Sequence, residues 1–190
     1  MTRALLVIDM QRAFDDLDFW GATTNPDCER NVAALIDAWA ASDEPVVVVR
    51  HDSTSPGSPL HPDSPGNRLM DAVAAVDPAL LVTKSVNSAF YGDPELQAWL
   101  VGRGIRELVI CGIQTNMCVE TTARMAGNLG YDVTVALDAT RTFDLTADVA
   151  GLGVVTRTAA ELMATTALDL QAGGFARIAT TAELIGKNRT

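Results

Sequence analysis

Leu108-Val109-Ile110-Cys111-Gly112-Ile113-Gln114-Thr115-Asn116-Met117-Cys118-Val119-Glu120-Thr121-Thr122-Ala123-Arg124 begins as an apolar run and ends in a helical pattern. A run of apolar residues without polar alternation reads as a strand covered on both faces, as in parallel sheets flanked by helices. Cys118 therefore falls where a buried strand turns into the start of a helix. The first peptide N–H groups of a helix lack internal partners, and its N-terminus carries roughly half a positive charge. A thiol held there is expected to be biased toward thiolate, the form that attacks carbonyls.

Outward from this block, short apolar runs alternate with helix-length amphipathic segments. Strands are expected at 3–9, 45–50, 80–83, 107–112, 132–137 and 175–180. The runs Leu5-Leu6-Val7-Ile8 and Val46-Val47-Val48-Val49 are continuous, like that before Gly112. Helices are expected at 26–42, 93–103, 117–129, 146–150 and 157–172, the first opening at Asn25-Pro26 with proline at the first helical position. Such alternation implies a three-layer α/β/α domain, a doubly wound and mostly parallel six-stranded sheet between helices. With 190 residues, no internal repeat and no linker, residues 1–190 are read as one domain.

The interruption is 52–67, Asp-Ser-Thr-Ser-Pro-Gly-Ser-Pro-Leu-His-Pro-Asp-Ser-Pro-Gly-Asn, which holds four of the eight prolines. It fits neither a strand nor a helix interior. Loops of this length in compact domains are usually functional or disordered, and its place after a strand suggests a wall over the active site. In open α/β sheets ligands bind beyond the carboxyl ends of the strands. Asp9, His51, Lys84 and Cys118 follow four successive strands, so the expected topology brings them to one edge.

Composition narrows the function classes. The net charge of −10 argues against nucleic acid and anionic membranes as partners, since both demand clustered Lys and Arg. No apolar stretch approaches the roughly 20 residues of a membrane span, and the N-terminal run meets Asp9 too soon for a secretion signal. Cys28, Cys111 and Cys118 make neither an even disulfide set nor a CxxC pair, which suits a reducing cytoplasm. Cys111 is expected to pack in the fourth strand, Cys28 on the first helix, and Trp39 and Trp99 in the core.

Together Leu5-Leu6-Val7-Ile8-Asp9-Met10-Gln11, Lys84-Ser85-Val86-Asn87-Ser88-Ala89-Phe90, the block from Gly112 to Arg124, Asn128-Leu129-Gly130-Tyr131-Asp132-Val133 and Asp138-Ala139-Thr140 resemble the isochorismatase-like cysteine hydrolase family. The order and spacing of the pieces carry the resemblance. The strand order expected for such a sheet is 3-2-1-4-5-6. By resemblance the catalytic aspartate, lysine and cysteine fall on Asp9, Lys84 and Cys118, with a cis peptide at Ile113–Gln114. Asp9 is then the general base and Lys84 its charge partner. The backbone N–H groups of Gln114 and Cys118 are the oxyanion donors. The reaction implied is hydrolysis of an amide, ureido or carbamoyl C–N bond in a small molecule, through a thioester on Cys118.

Phe14, Phe19, Trp20, His51, Phe90 and Tyr91 lie just after strand ends and are candidate pocket walls. Gln114 and Asn116 are candidates to bind an amide or to shape the turn. Metal-dependent nicotinamidases of the superfamily carry an Asp-x-His pair after the second strand. Here that place reads Arg50-His51-Asp52-Ser53, and His61 is the only other histidine, so neither a metal nor another cofactor is expected. Two further readings stand beside the amidase: an isochorismatase-type vinyl ether hydrolase, against which Cys118 argues, and a non-catalytic or redox-sensing protein with a reactive Cys118. The resemblance also implies a homodimer or homotetramer.

Overall fold

The computed structural model describes residues 3–186; the first two and last four residues of the expected domain lie outside the described part. The described residues form eight strands: β1 (Arg3–Ile8), β2 (Val46–His51), β3 (Leu80–Lys84), β4 (Glu107–Ile113), β5 (Asp132–Arg141), β6 (Leu145–Val149), β7 (Gly153–Arg157) and β8 (Arg177–Ala179). Six form one sheet in the order β3-β2-β1-β4-β5-β8, with every pairing parallel. The expected order holds, its sixth member being β8. The valine and leucine runs of β1, β2 and β4 are buried nearly throughout, as a sheet covered on both faces demands.

The helices are α1 (Leu17–Trp20), α2 (Cys28–Ala41), α3 (Asp71–Ala74), α4 (Leu96–Gly102), α5 (Glu120–Asn128), α6 (Ala159–Ala172) and α7 (Thr181–Gly186). Two cores result, one on each face of the sheet. Trp39, Leu35 and Val32 of α2 pack with Leu5 and Val7 on one side. Leu96 and Leu100 of α4 and Ala123 and Ala126 of α5 pack with Leu6, Ile8 and Ile110 on the other. Cys28 and Cys111 are buried as expected, and Trp39 is wholly enclosed. Trp99 is only half-buried, with the Arg103 guanidinium 4.2 Å from its ring centre.

Two expectations are corrected. The helix at 146–150 is instead the antiparallel hairpin β6–β7, in which Leu145 pairs with Arg157 and Val149 with Gly153. Gly151 and Gly153, at φ of 83° and 73°, make a turn that residues with side chains rarely adopt. The valines and threonines of the flanking segments then favour extended backbone over helix. The first helix begins at Cys28 rather than 26, because Asn25 takes a left-handed φ of 55° and its side-chain amide donates to the Asp138 and Thr140 carbonyls.

Candidate active site

Parallel pairing puts the carboxyl ends of β3, β2, β1 and β4 along one edge. His51 and Lys84 are direct register partners, and Ile8 is opposite Gly112. Asp9, immediately after β1, turns out of the strand at a φ of 49°, which aspartate tolerates better than most residues. A Cβ on Gly112 would stand 2.0 Å from the Ile8 carbonyl oxygen, and its φ is 118°. Glycine is therefore obligatory where β4 passes β1. Opposite it, β5 bulges between Val135 and Thr140. The Ile113–Gln114 peptide is cis, and a π turn over Thr115–Val119 leads into α5.

Lys84 Nζ lies 2.6 Å from Asp9 Oδ2, and both side chains are almost wholly excluded from solvent. The other carboxylate oxygen, Asp9 Oδ1, is buried with no hydrogen-bond partner, an acceptor left open in a closed place. Asp9, His51 and Cys118 each bring a donor atom within 4.8 Å of the other two. Such a trio can suit a metal ion, yet the Lys84 ammonium already stands beside the aspartate and histidine atoms. A divalent cation would have to abut that positive charge. The Cys118 Sγ has a long contact of 3.9 Å with Asn87 Oδ1.

The thiol is not the thiolate expected of a helix start. Burial, reinforced by the Asp9 charge and only partly opposed by Lys84, pushes Cys118 up to about 12. Desolvation outweighs the helix terminus because Cys118 is enclosed in the π turn ahead of α5. At rest the site therefore holds a neutral thiol beside a carboxylate with an open acceptor.

His51 is fixed at its backbone. Its N–H donates to Gln11 Oε1 at 2.8 Å, and its carbonyl accepts from Gln11 Nε2 and Asn67 Nδ2. Gln11 Nε2 also reaches the Asn67 carbonyl, and Asn67 Nδ2 reaches the Leu60 carbonyl and Asp52 Oδ1. Arg50 grips Asp52 with two 2.8 Å bonds; although burial works the other way, these and Asn67 hold that carboxyl below its usual range. The proline-rich segment is thus latched to the strand ends. It supplies Ser58 and Leu60 to the cavity, in keeping with its expected role as a wall.

That cavity, of about 350 Å³, is also lined by Asp9, Phe14, Trp20, His51, Asn87, Gln114, Met117, Cys118, Phe143 and Leu145. Phe14, Trp20 and Phe143 form one aromatic wall, their ring centres 4.9–6.0 Å apart. Of the expected pocket residues, Phe14, Trp20 and His51 line it. Phe19 instead leans edge-on against Trp20 at 55% exposure. Phe90 is buried against Tyr131 beneath the sheet, and Tyr91 is 72% exposed, because the 3-10 turn at Ala89–Tyr91 directs one ring inward and the next outward. Asn116 does not line the cavity; its Oδ1 accepts from the Thr142 hydroxyl and so shapes the turn. Met117, Asn87, Phe143 and Leu145 were not singled out from sequence, although Asn87 and Met117 sit inside the motifs around Lys84 and Cys118.

The Isochorismatase domain model matches residues 3–167. The isochorismatase family protein YrdC of Bacillus subtilis is 37% identical over 143 residues, covering 75% of this chain and 75% of that protein. Nicotinamidase 3 of Arabidopsis thaliana is 32% identical over 154 residues, covering 74% of each. Among solved structures, an isochorismatase-family protein from Chromobacterium violaceum superposes with a TM-score of 0.90 at 37% identity, over 99% of this chain and 94% of that one.

Proposed function

The chain belongs to the isochorismatase family, and on that footing we propose that it is a cysteine hydrolase that cleaves an amide, ureido or carbamoyl C–N bond of a small molecule. The observation that carries this reading is the buried Asp9–Lys84 pair, with Asp9 Oδ1 unpartnered and Cys118 at the same cavity. The neutral Cys118 thiol gives its proton to Asp9 as sulfur attacks the carbonyl carbon. Lys84 keeps a positive charge beside the aspartate while the thiolate forms. The tetrahedral oxyanion takes hydrogen bonds from the Gln114 and Cys118 backbone N–H groups. Protonated Asp9 then donates to the departing nitrogen, the C–N bond breaks, and a thioester remains on Cys118. Water, deprotonated by the same carboxylate, attacks the thioester and frees the acid and the thiol.

A high thiol pKa weighs against a redox-sensing role, which needs a thiolate-rich cysteine. The relative named as a nicotinamidase supports the amide reading without fixing the substrate. The test is ammonia release from a panel of small amides, ureides and carbamates by wild type and Cys118→Ala. Turnover of at least one member that vanishes in Cys118→Ala is expected; turnover that survives the substitution overturns the reading.

A further inference from the structure

His51 lines the cavity yet has no step in the chemistry above. Its Nδ1 lies 3.1 Å from Lys84 Nζ and 3.9 Å from Asp9 Oδ2. An ammonium group only donates hydrogen bonds, so against Lys84 the Nδ1 must be the acceptor. The ring proton is then confined to Nε2. That nitrogen has no hydrogen-bond partner among the described residues and is not among the fully enclosed polar atoms. The ring has little freedom to turn away, since both backbone polar groups of His51 are held by Gln11 and Asn67.

Resting on the hydrolase reading, we propose that His51 is the cavity's uncharged hydrogen-bond donor to the substrate. Lys84 locks its Nε2–H tautomer, and that N–H binds a lone-pair atom on or next to the scissile carbonyl carbon. The ring stays neutral near pH 7, because burial first and Lys84 second lower its pKa, against weaker opposition from Asp9 and Asp52. An uncharged donor beside an aromatic wall suits an uncharged molecule with a second acceptor near the reacting bond. Ureides, carbamates and heteroaryl carboxamides have that chemistry. Lys84 thereby acts twice, on Asp9 for proton transfer and on His51 for recognition.

Two measurements on the full chain test this. In ring-¹⁵N spectra of histidine-labelled protein, with His61 identified through His61→Gln, His51 should show an unprotonated Nδ1 and a protonated Nε2 across pH 7–9. An imidazolium or an Nδ1–H tautomer overturns the proposal. The second uses 4-nitrophenyl acetate, where attack forms the Cys118 S–C bond, breaks the ester C–O bond and releases nitrophenolate. His51→Asn keeps an acceptor near the Nδ1 position and loses the Nε2 donor, whereas His51→Gln can place an amide N–H near Nε2.

Acylation should fall roughly ten- to hundredfold in His51→Asn, as for loss of one good hydrogen bond to the reacting molecule, and recover substantially in His51→Gln. The Asn loss should exceed by at least about fivefold any change in its rate with methyl methanethiosulfonate, which has no carbonyl. Restoration by Asn but not Gln would make His51 only an acceptor for Lys84, and parallel loss with both reagents would make it only a prop for the thiol. Either outcome overturns the proposal. Failure of the hydrolase reading appears separately, as acylation that is absent in wild type or persists in Cys118→Ala, and the ring spectra still decide the tautomer.

Discussion

At the scale of single residues, the site depends on atoms whose surroundings leave little choice. Gly112 is the clearest: a methyl group there meets the Ile8 carbonyl on a backbone that disfavours side chains. Gly112→Ala should cost about 3 kcal/mol or more, read as a lowered denaturation midpoint or failure to accumulate folded protein. A variant as stable as wild type would mean that β1 and β4 part easily. Asp9→Asn should lower turnover roughly 10²–10⁴-fold, because the open acceptor beside the thiol can no longer take its proton. The raised Cys118 pKa has a sign of its own. Below pH 12 the free thiol is mostly protonated, so its alkylation by iodoacetamide without substrate should climb through pH 8–10 with no plateau in the ordinary cysteine range. A plateau near pH 8 would show that burial does not dominate. That Asp9, Lys84 and Cys118 come together was legible in sequence because each lies at or just past the end of a strand that parallel pairing brings to a common edge, while their separate roles were legible only through the family resemblance. The protonation of Cys118 was not, since a helix start is a local signal and desolvation is a tertiary one. Phe90 and Tyr91 misled for the same reason, as adjacency to a strand end does not decide which way a turn aims a ring.

Among elements, the proline-rich segment is the one whose order the site relies on. Its hold is polar: Gln11 and Asn67 join β1, the end of β2 and the segment through hydrogen bonds to backbone groups of His51, Leu60 and Asn67. Gln11→Leu leaves several of these groups unpaired in a buried place and should destabilise the protein by about 2–3 kcal/mol. Faster hydrogen exchange should be confined first to the segment and the residues after β2. A loss spread evenly over the sheet would contradict the latch. The segment's role as a wall was legible from its prolines and its place after a strand. Its anchoring was not, because the partners are distant in sequence. The hairpin β6–β7 is not legible from periodicity, because a segment this short cannot separate helix from strand; Gly151 and Gly153 are the signal the sequence offers for it. It matters to function through Leu145, which reaches the cavity.

For the molecule as a whole, the apolar runs mark the strands of a sheet covered on both faces, while the order of those strands was legible through the family resemblance and agrees with the observed β3-β2-β1-β4-β5-β8. The buried thiols tie fold to pH. Burial, first among the causes, raises Cys28 to about 12, Cys111 well above its usual value and Cys118 to about 12. A thiol whose folded pKa lies above its unfolded value contributes its full stability below the unfolded pKa, near 8.5, and loses it as pH rises further. Stability should therefore fall above about pH 9, each thiol adding a slope of about 1.4 kcal/mol per pH unit. Cys28→Ala should flatten the alkaline limb by one thiol's share, and an unchanged slope would contradict that. No helix among the described residues is long and apolar enough to cross a membrane. What decides most directly whether this family member works through Cys118 is the covalent state of that sulfur during turnover. Acid quenching within the first turnover of an ester or amide that the protein cleaves, followed by peptide mass mapping, should find the acyl group on Cys118 and nowhere else. Turnover with Cys118 unmodified, or an acyl group on another residue, would contradict the thioester route.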